Sequence, residues 1–245
     1  MSQPWILVTG GSRGIGRELV LSLSERWRVV FTWRNNEIAA SEVVDHCRRQ
    51  GRLVEAFQCD GTNEEQVHQT ATRLLEQYGA PSGIVHNAGV PMDALHIHQT
   101  AERWRKVMDT NLNALFYWHQ KLLPAMFEMN SGSIVFITSV SGAVRGNSGQ
   151  TAYSASKAAM VGLCRSLALE VGRFGIRVNC IAPGIIDSEL INAIPTDKLK
   201  ALSRQIPLRR IGHPTDVVSS VRFFLNEESQ WITGQCLVVD GGMSV

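Results

Sequence analysis

The stretch WILVTGGSRGIG, residues 5–16, joins a short apolar run to a glycine-rich turn and the start of a helix. Gly10 permits a tight turn, Gly14 lets the backbone approach a pyrophosphate, and Gly16 allows close packing of helix on strand. The helix N-terminus offers free N–H groups and the positive end of its dipole to phosphates. A glycine turn alone is shared by other nucleotide binders, but its strand and helix context favours a dinucleotide site. The residues expected to contact it are Gly10, Ser12, Arg13, Gly14, Ile15 and Gly16.

Outward from this turn, apolar runs alternate with helix-like stretches along the whole chain. Strands are predicted at 5–9, 29–32, 53–58, 83–86, 133–138, 176–181 and 236–239. The clearest helices are predicted at 15–26, 37–50, 64–78, 104–129 and 153–172. Nearly uninterrupted apolar strands separated by helices indicate a parallel sheet covered on both faces. The prediction is therefore a single α/β domain over residues 1–245, a doubly wound Rossmann fold of about seven strands.

The weakest periodicity lies at residues 188–207, where Pro195 and Pro207 bracket a short polar and apolar stretch. Segments that contact substrate are often the less stable parts of a fold, so this one is a candidate mobile lid. A plain pair of surface helices is the alternative interpretation.

Composition excludes several classes of protein. Lys and Arg number 24 against 22 Asp and Glu, and this balance gives no reason to expect nucleic acid or a membrane surface as a partner. No apolar run approaches the roughly 20 residues that span a bilayer, and no signal peptide is recognisable at the N-terminus. The five cysteines are scattered, and nothing completes a ligand set around His96 and His98, so neither disulfides nor a metal site are expected. We therefore expect a cytoplasmic protein with reduced thiols.

The end of the second strand bears on the choice of dinucleotide. An acidic residue there would bind the ribose 2′-hydroxyl of NAD, whereas a basic one would accept the 2′-phosphate of NADP. The chain reads FTWRNN at 31–36, with no carboxylate before Glu37. Arg34 and Arg13 are candidates to clamp the 2′-phosphate, which predicts NADP(H) as the cofactor. The alternative is that both are solvated surface arginines.

Together with the YSASK segment at 153–157, these motifs give the chain a resemblance to the short-chain dehydrogenase/reductase family. Within it the chain is most similar to the 3-oxoacyl-[acyl-carrier-protein] reductases. The motifs run in order along nearly the whole chain: TGGSRGIG at 9–16, HNAG at 86–89, TNL at 110–112, TS at 138–139, YSASK at 153–157, PGII at 183–186 and ITGQ at 232–235.

Four catalytic residues follow from the resemblance. Tyr153 would protonate the developing alkoxide while NADPH delivers hydride, and Lys157, on the same helix face at i+4, would lower the pKa of the tyrosine. Ser139 would polarise the carbonyl, and Asn111 would hold a water that links Lys157 to solvent. Singly, each has a plainer interpretation: a helix-surface pair, a strand-end cap and a turn residue. Ser141 competes with Ser139, which is preferred because it closes the strand.

The resemblance also implies further cofactor contacts. Asp60 and Gly61 would lie at the adenine, residues 87–89 at the adenosine ribose, and Lys157 at the nicotinamide ribose. The segment from Pro183 onward would meet the carboxamide and phosphate. The full set is Asp60, Gly61, Asn87, Ala88, Gly89, Tyr153, Lys157, Pro183, Gly184, Ile186 and Ser188.

Some positions depart from the family pattern. His86 replaces the usual asparagine, and the interval from Ser139 to Tyr153 is one residue longer than in similar reductases. Met129 and Asn130 stand where reductases of fatty-acid synthesis carry basic residues that dock the acidic carrier protein, although Arg173 remains near a second docking position.

The resulting expectation is NADPH-dependent reduction of a 3-oxoacyl thioester on acyl carrier protein, in fatty-acid or specialised polyketide or aryl-polyene synthesis. A short-chain alcohol dehydrogenase acting on a free or CoA-linked small molecule is the first alternative. A non-catalytic NADP-sensing regulator is a second, and a methyltransferase, which would leave YSASK unexplained, a third. The family also implies a homotetramer with interfaces at the helices predicted over 104–129 and 153–172 and at the segment 237–245.

Overall fold

One parallel sheet forms the centre of the computed structural model, which describes residues 3–187 and 196–245. Its strands are β1 (Trp5–Thr9), β2 (Arg28–Trp33), β3 (Val54–Gln58), β4 (Gly83–His86), β5 (Gly132–Ile137), β6 (Ile176–Pro183) and β7 (Cys236–Val239). Their spatial order is β3-β2-β1-β4-β5-β6-β7, so the winding direction reverses between β1 and β4. The doubly wound α/β prediction is confirmed, and in such sheets ligands bind beyond the carboxyl ends of the strands at this reversal.

Helices cover both faces of the sheet. They are α1 (Gly14–Leu23), α2 (Glu37–Arg49), α3 (Glu64–Tyr78), α4 (Ala101–Met108), α5 (Ala114–Met129), the single turn α6 (Val140–Ala143), α7 (Thr151–Val171), α8 (Thr196–Gln205) and α9 (Pro214–Leu225). The apolar sides of α3, α5 and α7 pack on one face, and those of α1, α2 and α9 on the other. Within residues 3–187 and 196–245, none of the helices is long and apolar enough to cross a membrane.

The first strand shows why the strands read as unbroken apolar runs. Trp5 and Leu7 enter the core beneath α3 and α5, whereas Ile6 and Val8 enter the core beneath α1 and α9. All four side chains are buried. Since each such side chain contributes roughly 1.5–3 kcal/mol on burial, a polar residue on either face of β1 would be costly.

The prediction of a single helix over residues 104–129 is wrong. The chain forms α4, then a π-helical turn at Asp109–Asn113, and only then α5. The turn places Asn111, which is fully buried, against the backbone of Val90. A π turn inserts one extra residue into a helix, and the 3.6-residue periodicity of the sequence does not reveal it. Other predicted bounds differ from the structure by up to three residues.

The predicted lid at 188–207 overlaps α8, which spans Thr196–Gln205. Residues 188–195, Ser188 among them, lie outside the described part of the chain. The mobility of this segment therefore stays a prediction.

Two histidines form a pair inside the core that the sequence did not predict. His86 ends β4 and His119 lies on α5, with their Nε2 atoms 3.0 Å apart. Burial lowers the pKa of His86 well below its ordinary value, with a contribution from His119, and lowers the pKa of His119 to about 4. Both rings are therefore neutral near pH 7, one donating its N–H and the other accepting it.

The histidine pair predicts a loss of stability in mild acid. In the unfolded chain both rings take up protons near pH 6.5, whereas the folded chain excludes those protons until the pH is much lower. Unfolding free energy should therefore fall below pH 6.5 by about 1.4 kcal/mol per ring per pH unit. His119→Gln should remove about half of this slope, measured by urea unfolding at a series of pH values.

The matched control is His98→Gln, because His98 is exposed. This control should keep the full pH dependence. An unchanged slope in His119→Gln would contradict the assignment.

Candidate active site

The glycine turn between β1 and α1 tolerates little beyond glycine. Gly10 has a φ of +71°, and a Cβ there would lie 3.0 Å from the Ala88 Cα. A Cβ on Gly16 would lie 2.0 Å from the carbonyl oxygen of Gly10. Gly14 has a φ of +54° and no described atom within 4 Å of its Cβ position, so its backbone faces open space. The turn combines tight packing on the sheet side with an accessible outer face.

The N-terminus of α1 fits an anionic ligand. Arg13 occupies the N-cap position with extended backbone, and its side chain makes no capping hydrogen bond to the helix. The first N–H groups of a helix have no intrahelical acceptor, so this turn can donate to phosphate oxygens. Ser12 and Ile15 flank these donors. The open face at Gly14 and the uncapped N–H groups together fit the pyrophosphate of a dinucleotide.

The ends of β1 and β4 are joined by side-chain hydrogen bonds. The Thr9 hydroxyl accepts from the backbone N–H groups of Asn87 at 3.1 Å and Ala88 at 3.2 Å. Asn87 Nδ2 donates to the carbonyl oxygens of Thr9 and Gly10, at 3.2 and 3.0 Å. The Asn87 side chain therefore holds the glycine turn in place. Sequence reasoning did not include Thr9 among the site residues; a threonine that closes β1 beside the motif was the available signal.

The residues predicted for the adenosine end lie together beyond β2 and β3. Arg34 Nη1 is 3.9 Å from Asp60 Oδ1, and both side chains are about one-third exposed. Asp60 Oδ1 also accepts hydrogen bonds from the N–H and hydroxyl of Thr62. Gly61 follows at the same edge, with its Cβ position 3.4 Å from the Ala114 Cβ. Asp60 thus offsets part of the Arg34 charge, a pairing that the sequence did not predict.

Tyr153, Lys157 and Ser139 converge at the carboxyl end of the sheet. Tyr153 and Lys157 lie one turn apart on α7, with Lys157 Nζ 5.5 Å from the centre of the tyrosine ring. Lys157 is almost fully buried and donates to the Ile137 carbonyl oxygen at 2.7 Å. Ser139 follows β5, and its side chain lies close enough to the Tyr153 hydroxyl to lower the pKa of that group. Two hydroxyls and a buried ammonium therefore share one site.

Burial controls the proton affinities of this group. Burial raises the pKa of Tyr153, the Ser139 hydrogen bond lowers it, and the Asp93 carboxylate raises it. Because burial outweighs the lowering effect of Ser139, the net shift is upward, and the expected lowering of this pKa by Lys157 stays a prediction. Burial also lowers the pKa of Lys157, to about 8, and Cys180 opposes that change. Tyr153 is thus held in its protonated form, as a proton donor requires.

Asn111 braces the loop that follows β4. Its Oδ1 accepts from the Val90 N–H at 2.8 Å, and its Nδ2 donates to the Val90 carbonyl and to Ser156 Oγ, at 3.1 and 2.9 Å. A Cβ on Gly89 would lie 3.3 Å from Asn111 Oδ1 and 3.4 Å from Lys157 Nζ. Asn111 therefore positions the loop beside Lys157. Its expected role in holding a water stays a prediction.

Ser141, the competing serine, makes its side-chain hydrogen bonds to residues other than Tyr153. Its hydroxyl donates to Gln150 Oε1 at 2.8 Å, and Asn147 Nδ2 donates to Ser141 Oγ. Gln150 Nε2 in turn donates to Asp93 Oδ2 at 2.9 Å. The Ser139 hydroxyl accepts the Ser141 N–H at 3.2 Å, so Ser139 combines the strand-end cap with its contact to Tyr153. This network was missed because Asp93 and Gln150 are distant in sequence.

The segment after β6 brings Pro183, Gly184 and Ile186 to the same end of the sheet. Pro183 ends β6, and a Cβ on Gly184 would lie 2.6 Å from the Asp240 Cβ. Ile186 forms a parallel bridge with Gly212. The hydrogen bonds of this bridge use the neighbouring peptide groups at 185 and 187. The peptide groups of Ile186 itself are therefore directed away from the bridge.

Comparisons with known proteins agree with this architecture. The family model described as "Enoyl-(Acyl carrier protein) reductase" matches residues 10–244. The 3-oxoacyl-[acyl-carrier-protein] reductase FabG of Staphylococcus epidermidis is 37% identical over 238 residues, 97% of this chain and 97% of that protein. The FabG protein of Chlamydia muridarum is 36% identical over 239 residues, 97% of this chain and 96% of that protein.

A solved structure, the crystal structure of gox2181, is similar with a TM-score of 0.92 and 33% identity. The match covers 99% of this chain and 96% of that chain. The sequence motifs, the strand order and these matches agree along nearly the full length. The resemblance inferred from the motifs is confirmed: the chain belongs to the short-chain dehydrogenase/reductase family and is an oxidoreductase.

Proposed function

We propose that the protein reduces a 3-oxoacyl thioester to the 3-hydroxyacyl thioester, with NADPH as the reductant and acyl carrier protein as the carrier. The observation that carries this proposal is the convergence of the Ser139 and Tyr153 hydroxyls above the buried Lys157. Reduction of a carbonyl needs a proton donor at the oxygen, and this site holds one beside a second polar hydroxyl. The similar FabG proteins, named for the same reaction, support the substrate class.

The residues of the site divide the work of proton transfer and positioning. A bound nicotinamide would supply hydride to the carbonyl carbon. Tyr153, kept protonated by burial, transfers its proton to the carbonyl oxygen as negative charge develops there. Ser139 donates a hydrogen bond to the same oxygen and stabilises that charge. Lys157 holds its ammonium below the tyrosine, anchored on the Ile137 carbonyl, and favours the transient tyrosinate.

The geometry around α1 and β2 supports NADP rather than NAD. The glycine turn and the uncapped α1 terminus suit the pyrophosphate. Arg34, at the end of β2, and Arg13, exposed at the α1 terminus, are suited to bind a 2′-phosphate. Asp60 and residues 87–89 would line the adenosine, and the outward peptide groups of Ile186 suit the carboxamide.

The positions expected to dock a carrier protein lie far from Tyr153 of the same chain. Met129 and Asn130 end α5, and Arg173 follows α7, so both positions lie at the amino ends of β5 and β6. Tyr153 lies at the carboxyl ends, about 20 Å away along a six-residue strand. The reduced basic charge supports a specialised partner, as in polyketide or aryl-polyene synthesis, and CoA thioesters are the alternative substrates.

Exposed apolar side chains support a homotetramer. Phe116 on α5 is 57% exposed and Leu169 on α7 is 87% exposed. On the edge strand β7, Leu237 and Val238 are also exposed. These residues lie on the two surfaces expected as interfaces, and exposed apolar side chains are common at subunit contacts. The free state of all five thiols supports a cytoplasmic location.

Tyr153→Phe should lower kcat by about 100- to 10,000-fold, because it removes the proton donor and keeps the ring. NADPH oxidation would be followed by absorbance with acetoacetyl groups on acyl carrier protein and on CoA. A crotonyl thioester would test for reduction of a double bond instead. NADPH affinity should change far less than kcat in the variant, because the ring that contacts the cofactor is kept.

The matched control is Tyr117→Phe, since Tyr117 packs on the core outside this site and should tolerate the change. Turnover of the crotonyl thioester alone, or no turnover of any thioester, would refute the proposed reaction.

The pH profile should report the state of Lys157. Its pKa of about 8 predicts that kcat falls as the pH rises above that value, because the ammonium loses its proton there. Tyr153 stays protonated over the same range because burial raises its pKa. Lys157→Arg should shift the decline in kcat to higher pH while lowering its maximum.

Lys106→Arg, at an exposed position on α4, is the control and should leave the profile unchanged. If kcat of Lys157→Arg declined at the same pH as that of the wild type, the decline would belong to another group.

Arg34→Gln should raise the KM for NADPH by roughly tenfold or more, since it removes a cation and leaves Asp60 facing the 2′-phosphate. The KM for NADH should change little, because NADH has no phosphate at this position. Arg48→Gln, on the exposed side of α2, is the control. Equal effects on the two cofactors would show that Arg34 does not read the 2′-phosphate.

A further inference from the structure

Three thiols meet beneath α7 and take no part in the proposed reaction. Cys164 lies on α7, Cys180 on β6 and Cys236 on the edge strand β7. The Cys180 thiol donates to the Met160 carbonyl at 3.8 Å and interacts electrostatically with both other thiols. All five cysteines lie in the described part of the chain, and Cys236 is the only one that is not buried.

The strand register brings Cys180 and Cys236 to disulfide distance. They are Cα partners in the parallel pairing of β6 with β7. Neighbouring strands lie about 4.8 Å apart, within the roughly 4.4–6.8 Å between Cα atoms that a disulfide spans. Both side chains face the core beneath α7, so their sulfur atoms are on the same side of the sheet. Cys164 is already engaged, donating its thiol hydrogen to the Val178 carbonyl at 3.3 Å.

Cys236 has the properties of a reactive thiol. Its pKa is lowered, mainly by Cys180 and further by Thr138 and Arg165, while burial opposes the change. The shift favours the thiolate, which is the form that reacts with oxidants. By contrast, burial raises the pKa of Cys47 and of Cys59.

We propose that Cys180 and Cys236 form an oxidisable dithiol, which a hydroperoxide converts to a disulfide. The Cys236 thiolate attacks one peroxide oxygen, the O–O bond breaks, and the sulfenic acid forms as the hydroxide takes up a proton to become water. Cys180 then attacks the Cys236 sulfur, the S–S bond forms, and the hydroxyl leaves with the Cys180 proton as a second water. Two thiols are oxidised and one hydrogen peroxide is reduced to two waters.

The dithiol lies directly under the catalytic residues. Cys180 interacts electrostatically with Lys157, and its Sγ is 3.8 Å from the Met160 carbonyl on the same helix. Cys236 lies close enough to Thr138, which immediately precedes Ser139, for the threonine to lower its pKa. A disulfide draws the two sulfur atoms to about 2.05 Å apart. This movement displaces side chains that lie against Lys157 and beside Ser139. Oxidation should therefore lower turnover by roughly 10- to 100-fold, an effect that rests on the proposed function.

The test treats the purified full-length protein with hydrogen peroxide, then counts free thiols in denaturant and maps peptides without reduction. Wild-type protein should lose two thiols per chain and yield one linked pair, Cys180 with Cys236, both reversed by dithiothreitol. Cys236→Ser and Cys180→Ala should form no such link. Cys47→Ala, in the core on the opposite face of the sheet, should behave as wild type.

The outcomes separate the dithiol from the proposed function. A stable sulfinic acid on Cys236 without a linked pair, or a link between Cys164 and Cys180, would overturn the proposal. Undiminished turnover of the fully disulfide-bonded enzyme would overturn its coupling to the active site. Absence of turnover before peroxide is added would instead contradict the proposed function, while peptide mapping would still decide the dithiol.

Discussion

The hydrogen bonds between the ends of β1 and β4 are the constraint on which the rest of the site depends. Thr9 and Asn87 exchange bonds across the point where the sheet reverses its winding. These bonds hold the glycine turn on one side and the loop of Gly89 and Val90 on the other. Asn111 braces that loop, and the loop packs against Lys157. The glycine turn and Lys157 are therefore linked through one connected set of contacts.

Burial sets the charge state of each important group in the site and in the core. It keeps Tyr153 protonated and brings the pKa of Lys157 to about 8. It also keeps His86 and His119 neutral in the core. Burial favours the neutral form of each group, and hydrogen bonds then raise or lower its pKa. The same balance leaves Cys236, which is partly exposed, with a lowered pKa, mainly through Cys180.

The proposed chemistry and the positions expected for carrier docking lie at opposite ends of the sheet. The carboxyl ends of the strands carry the glycine turn and Tyr153, whereas the positions expected for carrier docking lie at the amino ends. The exposed apolar residues of α5, α7 and β7 lie on further surfaces. Such a division lets the substrate partner and the subunit contacts vary while the hydrogen-bonded site stays the same.

Local patterns in the sequence determined the fold class, the glycine turn and the Tyr153–Lys157 pair. Alternating apolar runs, glycine spacing and an i, i+4 relation depend on neighbouring residues only, so they can be read without coordinates. The tertiary structure alone decided the π turn at Asn111, the His86–His119 pair and the Cys180–Cys236 register. It also decided the sign of the Tyr153 pKa shift. These features join residues far apart in the chain or depend on burial, and both arise only when the sheet and its helices pack together.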